Sequence, residues 1–161
     1  MNYKINILLM LMLVLKTDLN AEVFDGYTLF SPTGGGPSGA TGGTSYLYDN
    51  DYNIIHTWIH SRGAASMPYL LPDSSIIYPF RVESPTMSAG GVGGGVAHIA
   101  WDGTILWEYI ISNQTYQHHH DVQPLPNGNI LVITWEKKTA TEAYAMGTAS
   151  LDNPLNEMWS T

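Results

Sequence analysis

Leu125-Pro-Asn-Gly-Asn-Ile-Leu131 repeats Leu71-Pro-Asp-Ser-Ser-Ile-Ile77 at an offset of 54 residues. Each copy joins a turn signal to β-branched residues, so each is expected to open a strand just after a tight turn. A second pair of hairpins, one ending in Trp58 and one in Trp107, recurs at an offset of 49. Two hairpins in each period of about 50 residues make four strands per repeat, which is the spacing of a β-propeller blade. A two-sheet sandwich also gives regular hairpins, but not two kinds alternating in this order.

Outward from that repeat, the chain is expected to be paired short strands. Residues 45–48 and 54–58 flank the polar turn 49–53, and residues 69–71 and 76–80 flank 72–75. Residues 96–101 and 104–109 flank Asp102-Gly103, the strongest short hairpin signal, and 121–125 and 130–135 flank 126–129. One helix is expected, Thr139 to Met146, with Thr139 and Glu142 as a capping box and Gly147 ending it. Four of the five tryptophans, 58, 101, 107 and 135, fall at strand positions and are expected to pack the core of each repeat.

Composition narrows the function classes. The 161 residues include 16 Gly, 9 Pro and no Cys, with 12% charged and 11% aromatic residues. Few charges and much glycine do not suit a helical bundle. The absence of cysteine excludes a disulfide framework, a thiolate metal site and a cysteine nucleophile. A net charge of -8 argues against nucleic acid as a partner, because a phosphate backbone calls for a basic stripe.

Lys4, the apolar run Ile5 to Leu15, and a polar stretch ending at Asn20-Ala21 describe a secretory signal peptide over residues 1–21. The eleven positions of that run, all apolar except Asn6, are too few to span a bilayer, which takes about 20. Removing Lys4, Lys16 and Asp18 takes the charge from -8 to -9. The mature protein is expected to be secreted or periplasmic, with no membrane partner. Residues 22–161 then form one domain. Propellers close with 4–8 blades, so this domain supplies about three of them and is expected to be the N-terminal part of a larger protein.

Two glycine-rich runs bear on ligand binding. Gly34-Gly-Gly-Pro-Ser-Gly39 matches a dinucleotide-binding pattern in letters alone, since no helix start follows it. Ala89-Gly-Gly-Val-Gly-Gly-Gly-Val96 lacks a phosphate-binding lysine and is expected to be a loop whose backbone passes close to something. No cofactor is implied by either.

Chemistry centres on the histidines. His118, His119 and His120 are consecutive and run into Asp121. On an extended strand His118 and His120 face one way, and His119 and Asp121 the other. Three uses are open: metal ligation by His118 and His120, nucleophilic or acid–base catalysis, and a structural role in hydrogen-bonding neighbouring loops. His56 and His98 sit within strands and are expected to be structural. His60 and Arg62 are expected in a loop beyond the strand. Asn113-Gln-Thr115 is a glycosylation sequon.

The run from His118 to Trp135, HHHDVQPLPNGNILVITW, resembles the arylsulfotransferase family. Residues 26–30, the strand ending His56-Thr-Trp58, residues 102–109 and residues 142–147 support the likeness in the family's order. The resemblance implies an all-β, six-bladed propeller following a signal peptide, with about three blades present here. It further implies transfer of a sulfuryl group from a phenolic sulfate ester to a phenolic acceptor through a sulfohistidine, without the nucleotide sulfate donor. The family's His-Asp pair maps onto His120 and Asp121, with His119 as the neighbouring candidate for the nucleophile. No metal or other cofactor is implied. The family gathers further histidines and an arginine from other blades, so this length of chain alone is expected to be inactive. The competing expectation is a non-catalytic secreted propeller that serves as a binding or adhesion module.

Overall fold

A computed structural model describes residues 24–32, 41–87, 89–152 and 157–160. The proposed signal peptide and the Gly34–Gly39 run lie outside the described residues. The described residues are all-β apart from one short helix, in three antiparallel sheets, none of them closed. The first sheet holds β1 (Thr28–Phe30), β2 (Thr41–Tyr48) and β3 (Ile54–Arg62). The middle sheet holds β4 (Tyr69–Leu70), β5 (Ile76–Arg81), β6 (Gly94–Ile99) and β7 (Ile105–Ile110). The third holds β8 (Tyr116–Pro124), β9 (Ile130–Thr139) and β10 (Glu157–Ser160). Each sheet is a meander in chain order. Among the described residues, no helix is long and apolar enough to cross a membrane.

The two central strands of the middle sheet, β5 and β6, are buried on both faces. Ile76, Tyr78 and Phe80 of β5, with Ala97 and Ile99 of β6, pack against Leu47 and Trp58 of the first sheet. The intervening Ile77 and Val96 pack the other way, with Ile111 and with Val122 of β8. This is the period-2 alternation of a strand applied to two cores at once. It explains why β5 is apolar almost throughout, with Ile76 to Phe80 all buried.

Four hairpin turns share one geometry. In 49–53, 71–75, 100–104 and 125–129, the first residue's N–H donates to the fifth carbonyl, and the fourth N–H donates back to the first carbonyl. Asp73, Asp102 and Asn127 at the third position each accept the N–H two residues on. The fourth residue is left-handed in every case: Tyr52 (φ 64°), Ser74 (φ 66°), Gly103 (φ 87°) and Gly128 (φ 84°). The 54-residue repeat is therefore a repeat of this turn, and the two kinds of hairpin differ in sequence more than in shape.

The helix α1 (Ala140–Ala145) has the expected capping box. Thr139 Oγ1 accepts from Glu142 N–H, and the Glu142 carboxylate accepts from Thr139 N–H. Met146 is the C-cap and Gly147 follows with φ 98°.

The tryptophans correct the expectation of uniform core packing. Trp58 is 1% exposed, and its Nε1–H donates to the Ala100 carbonyl at 3.0 Å. Trp101 sits in the β6–β7 turn rather than in a strand, 41% exposed, with its ring stacked on His56 at 3.7 Å. Trp107 is 40% exposed on β7, a strand with every residue exposed. Trp135 is half-buried and meets the edge of His119 at 3.8 Å. Sequence period places a residue on a strand, but only a packed neighbour on that face buries it.

Trp58→Ala is expected to cost about 3–5 kcal/mol, and Trp107→Ala about 1 kcal/mol or less, by denaturant unfolding. Ser74→Gly is expected to stabilise the fold by about 0.5–1 kcal/mol, because glycine removes the Cβ penalty of the left-handed position. Gly128→Ser, the reverse change at the repeated position, is expected to lose a similar amount, and equal melting temperatures across the set would contradict this.

Candidate functional site

The histidine run lies where the middle and third sheets meet. Val92 bridges to His119, Gly93 N–H donates to the His118 carbonyl at 3.0 Å, and His120 N–H donates to the Gly91 carbonyl at 2.7 Å. Further along the seam, His118 N–H donates to Ile111 and Ile111 N–H to Gly94, both at 2.7 Å. The 89–96 run therefore passes close to the histidines themselves. Its last residues, from Gly94, belong to β6 rather than to a loop.

The three imidazoles have different surroundings. His118 is fully buried over Gly93, and its Nδ1 accepts from Gly94 N–H at 3.2 Å. Burial pushes its pKa down to about 4, only partly offset by the Asp121 backbone and carboxylate. It is neutral at pH 7, with Nδ1 as acceptor, and its Nε2 is buried without a hydrogen bond. His119 is half-buried against Trp135, and burial followed by the nearby His120 lowers its pKa. His120 is exposed, with a left-handed φ of 59°. Its Nδ1 lies 3.1 Å from His119 Nε2 and 3.3 Å from His119 Nδ1.

Strict alternation breaks at His120. His118 and His120 both lie over the glycine strip, as expected, and His119 turns away to Trp135. Asp121 does not join His119, because the left-handed residue and a register shift between His118 and Val122 intervene. Its Oδ1 accepts from Ser66 Oγ and its Oδ2 from Tyr69 Oη, both at 3.0 Å, and Oδ1 also accepts from Val122 N–H. Burial, with the bond to Asp121 and its charge, raises the Tyr69 pKa. The carboxylate thus anchors the strand and touches no imidazole nitrogen. Among the described residues no group of three or more His, Asp or Glu side chains is placed to hold a metal ion.

His60 and Arg62 lie in β3 itself, not in a loop beyond it. His60 is stacked on Tyr78 at 3.7 Å and bonded to Ser45 Oγ at 2.7 Å, while Ser45 also bonds Ser31. Burial pushes the His60 pKa down to about 4. Arg62 pairs with Glu108 at 3.1 Å, tying the first sheet to β7. His98 bonds Ser75 Oγ at 2.7 Å, and His56 Nε2 meets the Trp101 carbonyl at 2.7 Å. Asn113 accepts from the Thr115 and Tyr116 N–H groups in an exposed turn.

Three residues that the sequence did not single out complete the site: Ser66, Tyr69 and Gln117. Gln117 is fully buried; its Nε2 donates to Gly93, and its Oε1 accepts from Thr86 and Ser112. A glutamine beside three histidines was the only signal, and nothing in its spacing marks it as a buried bridge. A cleft of about 570 Å³ opens beside β7, lined by Trp107, Tyr109, Tyr116 and Ile130, but none of the three histidines borders it.

Compared with family models, curated proteins and solved structures, the chain matches none of them.

His60 and His118 bind fewer protons folded than unfolded between pH 6.5 and about 4. Stability is therefore expected to be complete above pH 6.5 and to fall toward pH 4, by on the order of 2–3 kcal/mol for each ring. His60→Gln should remove its share of that acid loss. An unchanged slope of stability against pH in this variant would exclude His60 as a source.

Proposed function

We propose that the chain is part of a secreted arylsulfotransferase-like propeller, its three sheets being consecutive blades, and that His120 is the nucleophile in sulfuryl transfer. The observation that carries this reading is the exposed His120 imidazole, held on a left-handed backbone with Nδ1 3.1 Å from a His119 nitrogen. Left-handed non-glycine residues are costly and cluster at functional sites, and His120, unlike Tyr52 and Ser74, holds this conformation within a strand rather than in a hairpin turn. The face-to-face order of the sheets and the four-stranded middle meander support the blade reading.

The chemistry follows from the two rings. A neutral His120 nitrogen attacks the sulfur of a phenolic sulfate, the S–O ester bond breaks, and the phenoxide leaves with a proton taken from solvent or a neighbouring acid. The sulfuryl group then sits on His120 until a second phenol attacks sulfur, the N–S bond breaks, and the phenol's proton passes to the released imidazole or to solvent. His119, kept neutral by burial and by His120, is placed to exchange a proton with the nitrogen facing it. Asp121 acts through the backbone, fixing the strand by its bonds to Ser66 and Tyr69.

One observation favours the alternative of a binding module with structural histidines. The Asp121 carboxylate is occupied by two hydroxyls and leaves both exposed-side rings without a carboxylate partner.

The test is to incubate the intact secreted protein with 4-nitrophenyl sulfate and a phenol, measure nitrophenol release, and search the histidine peptide for a sulfuryl adduct. The expected result is acceptor-dependent release and an adduct on His120. His120→Asn is expected to lower turnover by about 10³-fold or more while unfolding within about 0.5 kcal/mol of the parent, because Asn tolerates the left-handed backbone. Full turnover in His120→Asn, or an adduct confined to another residue, overturns the assignment.

A further inference from the structure

We infer that Gly91 is a positioning residue for His120: the bare α-carbon of Gly91 is the surface against which that imidazole is set. This rests on the reading above only in that the positioned ring is the one assigned as nucleophile. A Cβ built on Gly91 would lie less than 3.0 Å from His120 Cε1, Nε2 and Nδ1. No real Cβ tolerates such an approach, so a side chain there and the ring as placed exclude each other.

Two features of different kind act at the same point. The Gly91 carbonyl accepts from His120 N–H at 2.7 Å and fixes the backbone, while its missing side chain admits the ring. Both residues are left-handed, with φ 76° at Gly91 in the turn before β6 and 59° at His120 in β8, so neither segment is regularly extended where they meet. The turn offers space and the strand fills it.

The bland explanation is that Gly91 is glycine only because its φ is positive. Gly103 and Gly128 separate the two causes. Both are left-handed, at φ 87° and 84°, and a Cβ on either meets nothing within 4 Å. Gly103→Ala therefore carries the backbone penalty alone, and Gly91→Ala carries the same penalty together with displacement of His120. Gly93 holds the fully buried His118 in the same manner, but that ring is bonded to Gly94 N–H and does not reach solvent. Gly91 acts on the accessible ring.

The experiment compares the parent, Gly91→Ala, Gly103→Ala and Gly91→Ala combined with His120→Gly, all in the intact protein. Carbethoxylation by diethyl pyrocarbonate is followed for each histidine by mass spectrometry across pH 5 to 8, alongside thermal unfolding. Gly91→Ala is expected to change the His120 modification rate relative to the other histidines by about two- to tenfold, the effect of forcing a side chain off its rotamer. Gly103→Ala is expected to lose stability without changing that ratio. The extra loss of melting temperature in Gly91→Ala over Gly103→Ala should vanish when His120→Gly removes the ring. If Gly91→Ala does not fold alone, recovery of folding in the double variant supports the proposal, and failure to recover overturns it. Equal His120 rates in Gly91→Ala and the parent also overturn it. A shifted His120 rate with no sulfuryl adduct in the parent retains the positioning role and rejects the transferase. An adduct on His120 that forms equally well in Gly91→Ala does the reverse.

Discussion

Burial of β5 and β6 on both faces is the constraint from which the rest of the structure follows. β5 sends Ile76, Tyr78 and Phe80 into one core and Ile77 into the other, so a slip of one residue would exchange the two cores. That register places β6 beside it, and β6 is the continuation of the glycine run that meets the histidines. The site is therefore held at a sheet-to-sheet seam whose position is set by apolar packing several residues away. A strand buried on both sides has little freedom to shift, which is what a side chain needing one orientation requires of its support.

Apart from His118 Nε2, the buried polar side chains along the seam find partners on neighbouring segments of the chain. Gln117 connects Gly93 with Thr86 and Ser112, His118 receives Gly94 N–H, and Asp121 receives Ser66 and Tyr69. Glycines allow this close approach of backbone to imidazole, because any Cβ at Gly91 or Gly93 would occupy ring space. The three neighbouring histidines are thereby divided: His118 becomes a neutral interior group, His119 a half-buried one packed on Trp135, and His120 the ring that reaches water. Burial lowers the pKa of His118 and, together with the neighbouring His120, that of His119. A sulfuryl-transfer reading uses that division directly, since it asks for one accessible nucleophile beside a neutral neighbour.

Much of the fold was legible before any coordinates. All four hairpins, the helix with its Thr139–Glu142 box, and the repeat beginning at Leu71 and Leu125 rest on interactions within a few residues, which local sequence encodes. Even the shared turn follows from short-range chemistry, an Asp or Asn beside a residue that accepts a left-handed backbone. The tryptophans were legible only in part. Trp58 finds a facing sheet, whereas Trp101 falls in a turn and Trp107 on an exposed strand, and no spacing along the chain records which face is covered.

The sequence by itself determined the strands, their turns and the presence of a histidine cluster, because period-2 patterning and turn chemistry act between near neighbours. Tertiary structure decided which histidine is buried and which is exposed, that Asp121 serves Ser66 and Tyr69, and that His60 stacks on Tyr78 inside β3. Those outcomes depend on the glycine strip of one sheet meeting β8 of the next and on contacts spanning tens of residues. Bringing those segments together is the work of two apolar cores, and no local pattern specifies what lies across a seam.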